Sequence, residues 1–226
     1  MPKTLEGLIK SLKSLGVLRS KRLEEALRKI KREYFVPEKY RGSAYIDYPL
    51  PIGHGQTISQ PYTVVTMTEM LDVKPGQKIL EIGAGSGWQA ALLGYLVGPK
   101  GKIYTVEINE WLADFARNNI SKTGLKNVEV IHGDGSLGLP KEFFRKRFST
   151  NLTEKGFDRI IITAAASKVP EPLKEQLREG GKLVAPIGNI FNQRMVLFEK
   201  EGSELKEIEE KGYFRFVPLK GEHGIV

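Results

Sequence analysis

Glu81 followed by three glycines at alternate positions, Gly83, Gly85 and Gly87, is the pattern with the clearest chemical content in this chain. It lies in KILEIGAGSGWQ, residues Lys78–Gln89, where Ile79, Leu80 and Ile82 form the short apolar run of a buried parallel strand. The spacing is G-x-G-x-G. A dinucleotide site uses G-x-G-x-x-G, whose third glycine packs helix against strand beneath a pyrophosphate. An acidic group ahead of the loop repels a pyrophosphate but accepts hydrogen bonds from an ammonium group. Loop N–H groups at a helix N-terminus favour one carboxylate. A ligand with both an amino acid and a nucleoside meets these demands, and S-adenosylmethionine does so better than NAD. Its methionyl part is then expected at Glu81, Gly83, Ala84, Gly85, Ser86 and Gly87. A plain tight turn would carry the same glycines.

Two more carboxylates end β-prone runs in register with the first. Ile103–Val106 closes on Glu107, about 20 residues beyond the glycines, where an acidic side chain bonds ribose hydroxyls. Ile108 beside it is assigned to the same cofactor site. Val128–Ile131 runs into His132-Gly133-Asp134-Gly135. Asp134 reads as an adenine ligand with Gly135, or as a helix cap. Three successive strands that end alike favour the ligand, because ligands bind at the C-terminal edge of an open parallel sheet.

A further polar stretch is GHGQTISQP, Gly53–Pro61. Pro61 suits the first position of a helix marked by Val64, Val65, Met67, Met70 and Leu71. Thr57, Ser59 and Gln60 then stand beside the helix's unpaired N–H groups. Ser59 has two open readings, an N-cap or a ligand-binding hydroxyl. His54 reads as a loop hydrogen-bonding residue.

The elements that must position these residues follow from periodicity. Trp88, Ala91, Leu92, Tyr95 and Leu96 mark a helix after the glycines. Leu5, Leu8, Ile9, Leu12 and Leu15 mark a helix over 4–15 with Gly16 to stop it, and Ser20 caps a second with Leu23, Leu27 and Ile30 inside. Pro37, Pro49 and Pro51 break the next segment into a long aromatic-rich connection, expected to be a functional loop or lid. Later, Ile160–Thr163 reads as a fourth strand and Ala164–Ala166 as its turn. Pro170 opens a helix that Gly180-Gly181 ends, and Leu183–Ile187 is a fifth strand. Met195–Phe198 and a strand near Phe214–Val217 finish the sheet, in an order spacing does not set.

Composition bounds the function. At 226 residues the default is one domain, 1–226. Within it, residues 1–60 are expected to form a helical appendage and a loop, 61–200 the cofactor-binding core, and 201–226 a closing strand. The absence of cysteine excludes disulfides and thiolate chemistry. There is no secretory apolar region and no run long enough to span a bilayer, so the cytoplasm is the expected location. A formal charge of +8 keeps nucleic acid open as a partner. Neither basic run, Lys10–Lys39 or Lys141–Lys155, reads as a base-stacking platform, and the first falls mostly on polar helix faces, so nucleic acid is not the expected partner.

GHGQTISQP, followed by a helix and EIGAGSGWQAA, resembles the protein-L-isoaspartate O-methyltransferase family. The likeness continues through VEIN at Val106–Asn109, GDGSLGLP at Gly133–Pro140 and FDRIIITAAASKVPEPL at Phe157–Leu173. It then persists in GGKLVAPIG at Gly180–Gly188 and FVPLKG at Phe216–Gly221. It spans nearly the whole chain, and GQTISQP with FVPL are its most specific parts. The resemblance implies an α/β, Rossmann-like methyltransferase fold with a mostly parallel sheet, helices on both faces and added N-terminal helices. It implies S-adenosylmethionine-dependent methylation of the α-carboxyl group of L-isoaspartyl residues, with S-adenosylhomocysteine as product and no metal. The substrates are damaged proteins and peptides, the enzyme is expected as a monomer, and the ester closes to a succinimide that partly reopens to aspartate. Substrate contacts fall to Gln56, Thr57, Ile58, Ser59, Val217, Pro218 and Leu219, with Ser59 orienting the carboxylate in catalysis. One departure is the long basic link KEFFRKRFSTNLTEKG after Pro140, either an extra wall at the active edge or a tolerated surface loop. The rival readings are an RNA or small-molecule methyltransferase on the same fold, and a non-catalytic protein that kept the cofactor site.

Overall fold

A computed structural model describes residues 3–140, 143 and 156–225; the basic link falls almost wholly outside them. Apolar stripes build helices α1 (Leu5–Ser14) and α2 (Lys21–Lys29), capped by the Thr4 and Ser20 hydroxyls. Two 3-10 turns, Arg32–Phe35 and Glu38–Ser43, lead into a hairpin of β1 (Leu50–Gly53) and β2 (Gln56–Ile58). Helix α3 (Pro61–Leu71) follows with proline at its first position. Then come β3 (Lys78–Ile82), α4 (Trp88–Val97), β4 (Lys102–Glu107), α5 (Glu110–Ser121) and β5 (Val128–His132). The chain continues through β6 (Phe157–Ile162), α6 (Glu171–Gln176), β7 (Leu177–Gly188), β8 (Gln193–Glu201) and β9 (Glu204–Phe214).

Among the described residues these strands form one seven-stranded sheet in the order β5-β4-β3-β6-β7-β8-β9. The pairs from β5 to β7 are parallel, and β8 and β9 are antiparallel additions. Side chains alternate between two cores. Ile79, Ile103, Ile161 and Val184 pack with helices α1 to α5, while Leu80, Ile82, Tyr104, Ile160 and Leu183 pack with Leu139, Leu173 and Leu177 on the opposite face. The strand order reverses about β3, so the edge beyond β3, β4 and β6 is the crevice of the fold.

Three expectations need correction. The helix after Pro170 ends at Gln176, not at the glycines. Lys200 on β8 donates to the carbonyls of Lys174 and Leu177, both at 2.6 Å, and so satisfies the end of α6. Gly180, at φ +64°, instead lies in an irregular part of β7, where pairing jumps from Phe157–Leu177 to Arg159–Lys182. The last strand ends at Phe214, where one was expected to begin. Its charged residues leave it an exposed polar edge with no apolar alternation to read. The Val217–Leu219 segment is not a strand of the sheet: Ala165 donates to the Val217 carbonyl and Leu219 to the Ala165 carbonyl, each at 2.8 Å, around a single bridge at Pro218.

Candidate active site

The glycine loop leaves β3 and enters α4 with Gly83 at φ +95° and Gly87 at φ +85°. At Gly83 a side chain is excluded twice, by that angle and by the Thr163 hydroxyl, which would lie 2.5 Å from a Cβ. The Thr163 Oγ1 sits 2.9 Å from the Ile82 carbonyl and 2.7 Å from that of Gly83, bracing the turn from below. Behind the loop, Glu81 shares a face of the sheet with Thr105 and Ile161 and is wholly buried. Among the described residues neither carboxyl oxygen has a hydrogen-bond partner at full geometry, yet the residue is on the wall of the cavity. Burial pushes its pKa up to about 8 and the charge of Glu107 adds to the rise, while the neighbouring Thr105 hydroxyl pulls the other way. An orphaned buried carboxyl is costly unless a ligand supplies donors. An ammonium group is such a ligand, so the donor set fits the amino-acid end of S-adenosylmethionine.

Glu107 stitches the site together. Its Oε2 accepts from the Gly85 N–H at 2.9 Å and its Oε1 from the Asn109 N–H at 3.0 Å. Asn109 in turn caps α5 through Leu112. Glu107, Ile108 and Gly135 line the cavity with Gly83, Ala84, Gly85 and Ser86. Gly87 caps α4 behind this wall. Asp134 stands one residue back from it. Its carboxylate accepts from the Ser136 N–H at 2.8 Å, the Ser136 hydroxyl at 2.7 Å and the Glu222 N–H at 2.8 Å. It therefore caps a 3-10 turn (Gly135–Leu137) and pins the C-terminal segment. A carboxylate has about four acceptor positions, so one remains for a ligand.

The β1–β2 hairpin covers this cavity. At its tip His54, at φ +50°, packs on Trp111 with ring centroids 4.8 Å apart and the planes tilted by 30°, and its Nδ1 lies 3.4 Å from Asn109 Nδ2. At its foot stands Ser59. The helix it precedes has Gln60, not Ser59, at the N-cap, and the Tyr62 N–H is satisfied by Asp47 Oδ1 at 2.8 Å. Capping therefore does not account for Ser59. Its hydroxyl makes no hydrogen bond among the described residues. Ser59, Thr57, Thr163 and Val217 line both the cavity over the glycine loop and a second, open groove bordered by Tyr48, Tyr62, Tyr213 and Phe216. Gln56, Ile58, Pro218 and Leu219 are on the cavity side.

The cavity and the groove thus form two chambers with the serine at their junction. The sequence profile described as protein-L-isoaspartate(D-aspartate) O-methyltransferase (PCMT) matches residues 3–224. The chain belongs to the protein-L-isoaspartate O-methyltransferase family. It is 50% identical to the protein-L-isoaspartate O-methyltransferase of Methanopyrus kandleri over 97% of this chain and 92% of that protein. It is 42% identical to that of Pyrococcus horikoshii, over 96% and 92%. A solved structure named protein-L-isoaspartate O-methyltransferase aligns with a TM-score of 0.83 and 32% identity, covering 97% of this chain and 67% of that one. A Plasmodium falciparum structure assigned to the same enzyme, in complex with S-adenosyl-L-homocysteine, aligns with a TM-score of 0.81 and 25% identity, over 97% and 99%.

Within this member of the protein-L-isoaspartate O-methyltransferase family, sequence reasoning passed over three residues at the site. Thr163 closes β6 at the same edge as Glu81 and Glu107, so its position at a strand end was a usable signal. Asn109 stood out only as the end of VEIN and His54 only as a loop residue, since their meeting spans 55 positions. The double role of Glu107 makes a measurable prediction. Glu107→Ala removes an acceptor from two backbone N–H groups as well as the proposed ribose contact, and charge-assisted bonds of this kind are worth about 1.5–3 kcal/mol each. Its affinity for S-adenosylhomocysteine is expected to fall at least about tenfold by calorimetry; unchanged affinity refutes the assignment.

Proposed function

We propose that this chain transfers a methyl group from S-adenosylmethionine to the α-carboxylate of L-isoaspartyl residues in damaged proteins, starting their return to aspartate through a succinimide. The single observation that carries this reading is Ser59, with a free hydroxyl, on the wall shared by the cofactor cavity and the open groove.

When bound, S-adenosylmethionine supplies an electrophilic methyl on a sulfonium. The chain's own residues have a modest task, because a carboxylate is already ionised at neutral pH and needs no general base. Glu81 holds the ammonium, the Gly83–Gly87 loop the carboxylate, Glu107 the ribose, and Asp134 with Gly135 the adenine. The Ser59 hydroxyl donates a hydrogen bond to one substrate oxygen and so directs the carboxylate toward the cavity. Thr57, Ile58 and Val217–Leu219 flank the substrate backbone, and backbone recognition tolerates varied neighbouring sequence. The hairpin excludes water where charge is dispersed as anion and sulfonium cancel, so alignment and enclosure supply most of the rate.

The proposed working form is a monomer. Among the described residues no helix is long and apolar enough to cross a membrane, which accords with work in the cytoplasm. On the basic N-terminal helices Lys13 pairs with Glu24, and Arg28 with Glu24 and Glu6. Polypeptide rather than nucleic acid is the proposed substrate.

The decisive experiment compares transfer from labelled S-adenosylmethionine to two peptides that differ only in isoaspartyl versus normal aspartyl linkage. A base-labile ester on the isoaspartyl peptide alone is expected. Cofactor binding without labelling of either peptide would overturn the reading and make RNA the next substrate to test.

A further inference from the structure

Arg32 is a buried cation that none of the chemistry above employs: only 1% of it is exposed. Its Nη1 donates to the Ala44 carbonyl at 2.6 Å, and its Nη2 to the carbonyls of Tyr48 at 3.0 Å and Ser59 at 2.9 Å. Nε has no partner, and Arg32 forms no ion pair among the described residues. Burial pushes its pKa down, with the charges of Asp47 and Tyr45 opposing. Such a charge is expensive, and an apolar side chain of similar volume would fill the space at less cost. What an apolar residue cannot do is hold several carbonyls at fixed angles, which the planar guanidinium fork does.

The carbonyls chosen are informative. Tyr48 lies two residues before β1 and Ser59 directly follows β2, so a single Nη2 clips together both feet of the hairpin over the cavity. Holding the Ser59 carbonyl restrains the backbone on which its hydroxyl is carried. The guanidinium carbon also lies 5.1 Å from the ring centroid of Trp88, the first residue of α4 after Gly87. Trp88 is held in turn by its Nε1 donating to the Ile30 carbonyl at 3.3 Å. One side chain thus touches the serine's backbone on one side and the helix that begins at the cofactor loop on the other.

We infer that Arg32 is a positioning residue, which sets the Ser59 hydroxyl against the cofactor loop by gripping the serine's own carbonyl. The inference rests on the assignment of Ser59 to the substrate carboxylate.

Arg32→Lys keeps the charge and the contact with Trp88 but replaces the fork with a single ammonium. The test measures kcat and KM for the isoaspartyl peptide, and S-adenosylhomocysteine affinity, for Arg32→Lys, Ser59→Ala and the double variant. Arg32→Lys is expected to lower kcat about tenfold, a part of the roughly hundredfold that a full 1 Å misplacement can cost. Peptide KM and cofactor affinity should stay within about twofold of wild type. In the Ser59→Ala background the same change should cost nothing further, because the group it positions is gone. Independent, multiplying losses overturn the proposal, as do a parallel loss of cofactor affinity, an unchanged kcat, or a lysine variant that cannot fold. If Ser59→Ala alone retains wild-type kcat, the assignment of the serine fails instead, and Arg32 has nothing to position.

Discussion

Ser59→Ala is expected to lower kcat for an isoaspartyl peptide about a hundredfold, the scale on which misalignment of reacting groups is felt, while S-adenosylhomocysteine binds with affinity within about twofold of wild type. Thermal stability should be nearly unchanged as well. The serine is not the cap of α3, whose second N–H is held by Asp47. Its hydroxyl makes no bond within the described residues that alanine would break. Its carbonyl, the group Arg32 holds, is still present in alanine. The substitution therefore removes one hydroxyl from the wall between two chambers and little else. A serine acting on the bound carboxylate shows its loss in the rate of a single turnover at saturating substrate. A serine serving only the cofactor wall shows it in cofactor affinity. Equal loss of both, or of neither, sinks the proposed role.

How much of this was legible in advance follows the physics of each segment. β3 and β4 are buried parallel strands and β5 a half-buried edge strand, so they read as short apolar runs, and the acids at the ends of β3 and β4 were visible by position alone. The hairpin was not. Its buried residues reduce to Ile52 and Ile58 among prolines, glycines and polar side chains, too few for a period of two to show. β9 was misplaced because an exposed edge strand is selected for charge, not alternation. The Gly180-Gly181 pair looked like a helix stop because the true one, Lys200, arrives from a strand that comes later in the chain. Arg32 is the sharpest case. It ends the basic run Lys29-Ile30-Lys31-Arg32, and nothing local separates the one buried guanidinium from solvated neighbours. Asp134 was legible as both cap and ligand, and the cap and its grip on the C-terminal segment are what the contacts display.

The second large effect falls on Glu81 and is read through pH. In the unfolded chain this group ionises near 4.5, whereas burial, helped by the charge of Glu107, holds the folded value at about 8. Between these limits the ligand-free protein keeps a proton that the unfolded chain has released. Its contribution to stability is full below pH 4.5 and declines by about 1.4 kcal/mol per pH unit until the folded group also ionises near 8. A cationic ammonium beside the carboxyl reverses the preference, because it pairs with the charged form. Binding of S-adenosylhomocysteine should therefore release close to one proton near pH 6.5. Its affinity should strengthen about tenfold per pH unit from 6 to 7 and level off above 8. Calorimetry in buffers of different ionisation enthalpy counts that proton directly. Glu81→Gln keeps the shape and removes the titration. It should abolish both pH slopes and raise ligand-free stability near pH 8, yet weaken cofactor binding at least about thirtyfold, as befits a buried charge that has lost its partner. Wild-type affinity that ignores pH would show that the ammonium lies elsewhere. A glutamine variant that binds as tightly as wild type would show that the orphaned carboxyl serves the fold rather than the ligand. The two measurements fail independently, and only their joint success ties the acid behind the glycine loop to the cofactor's amino group.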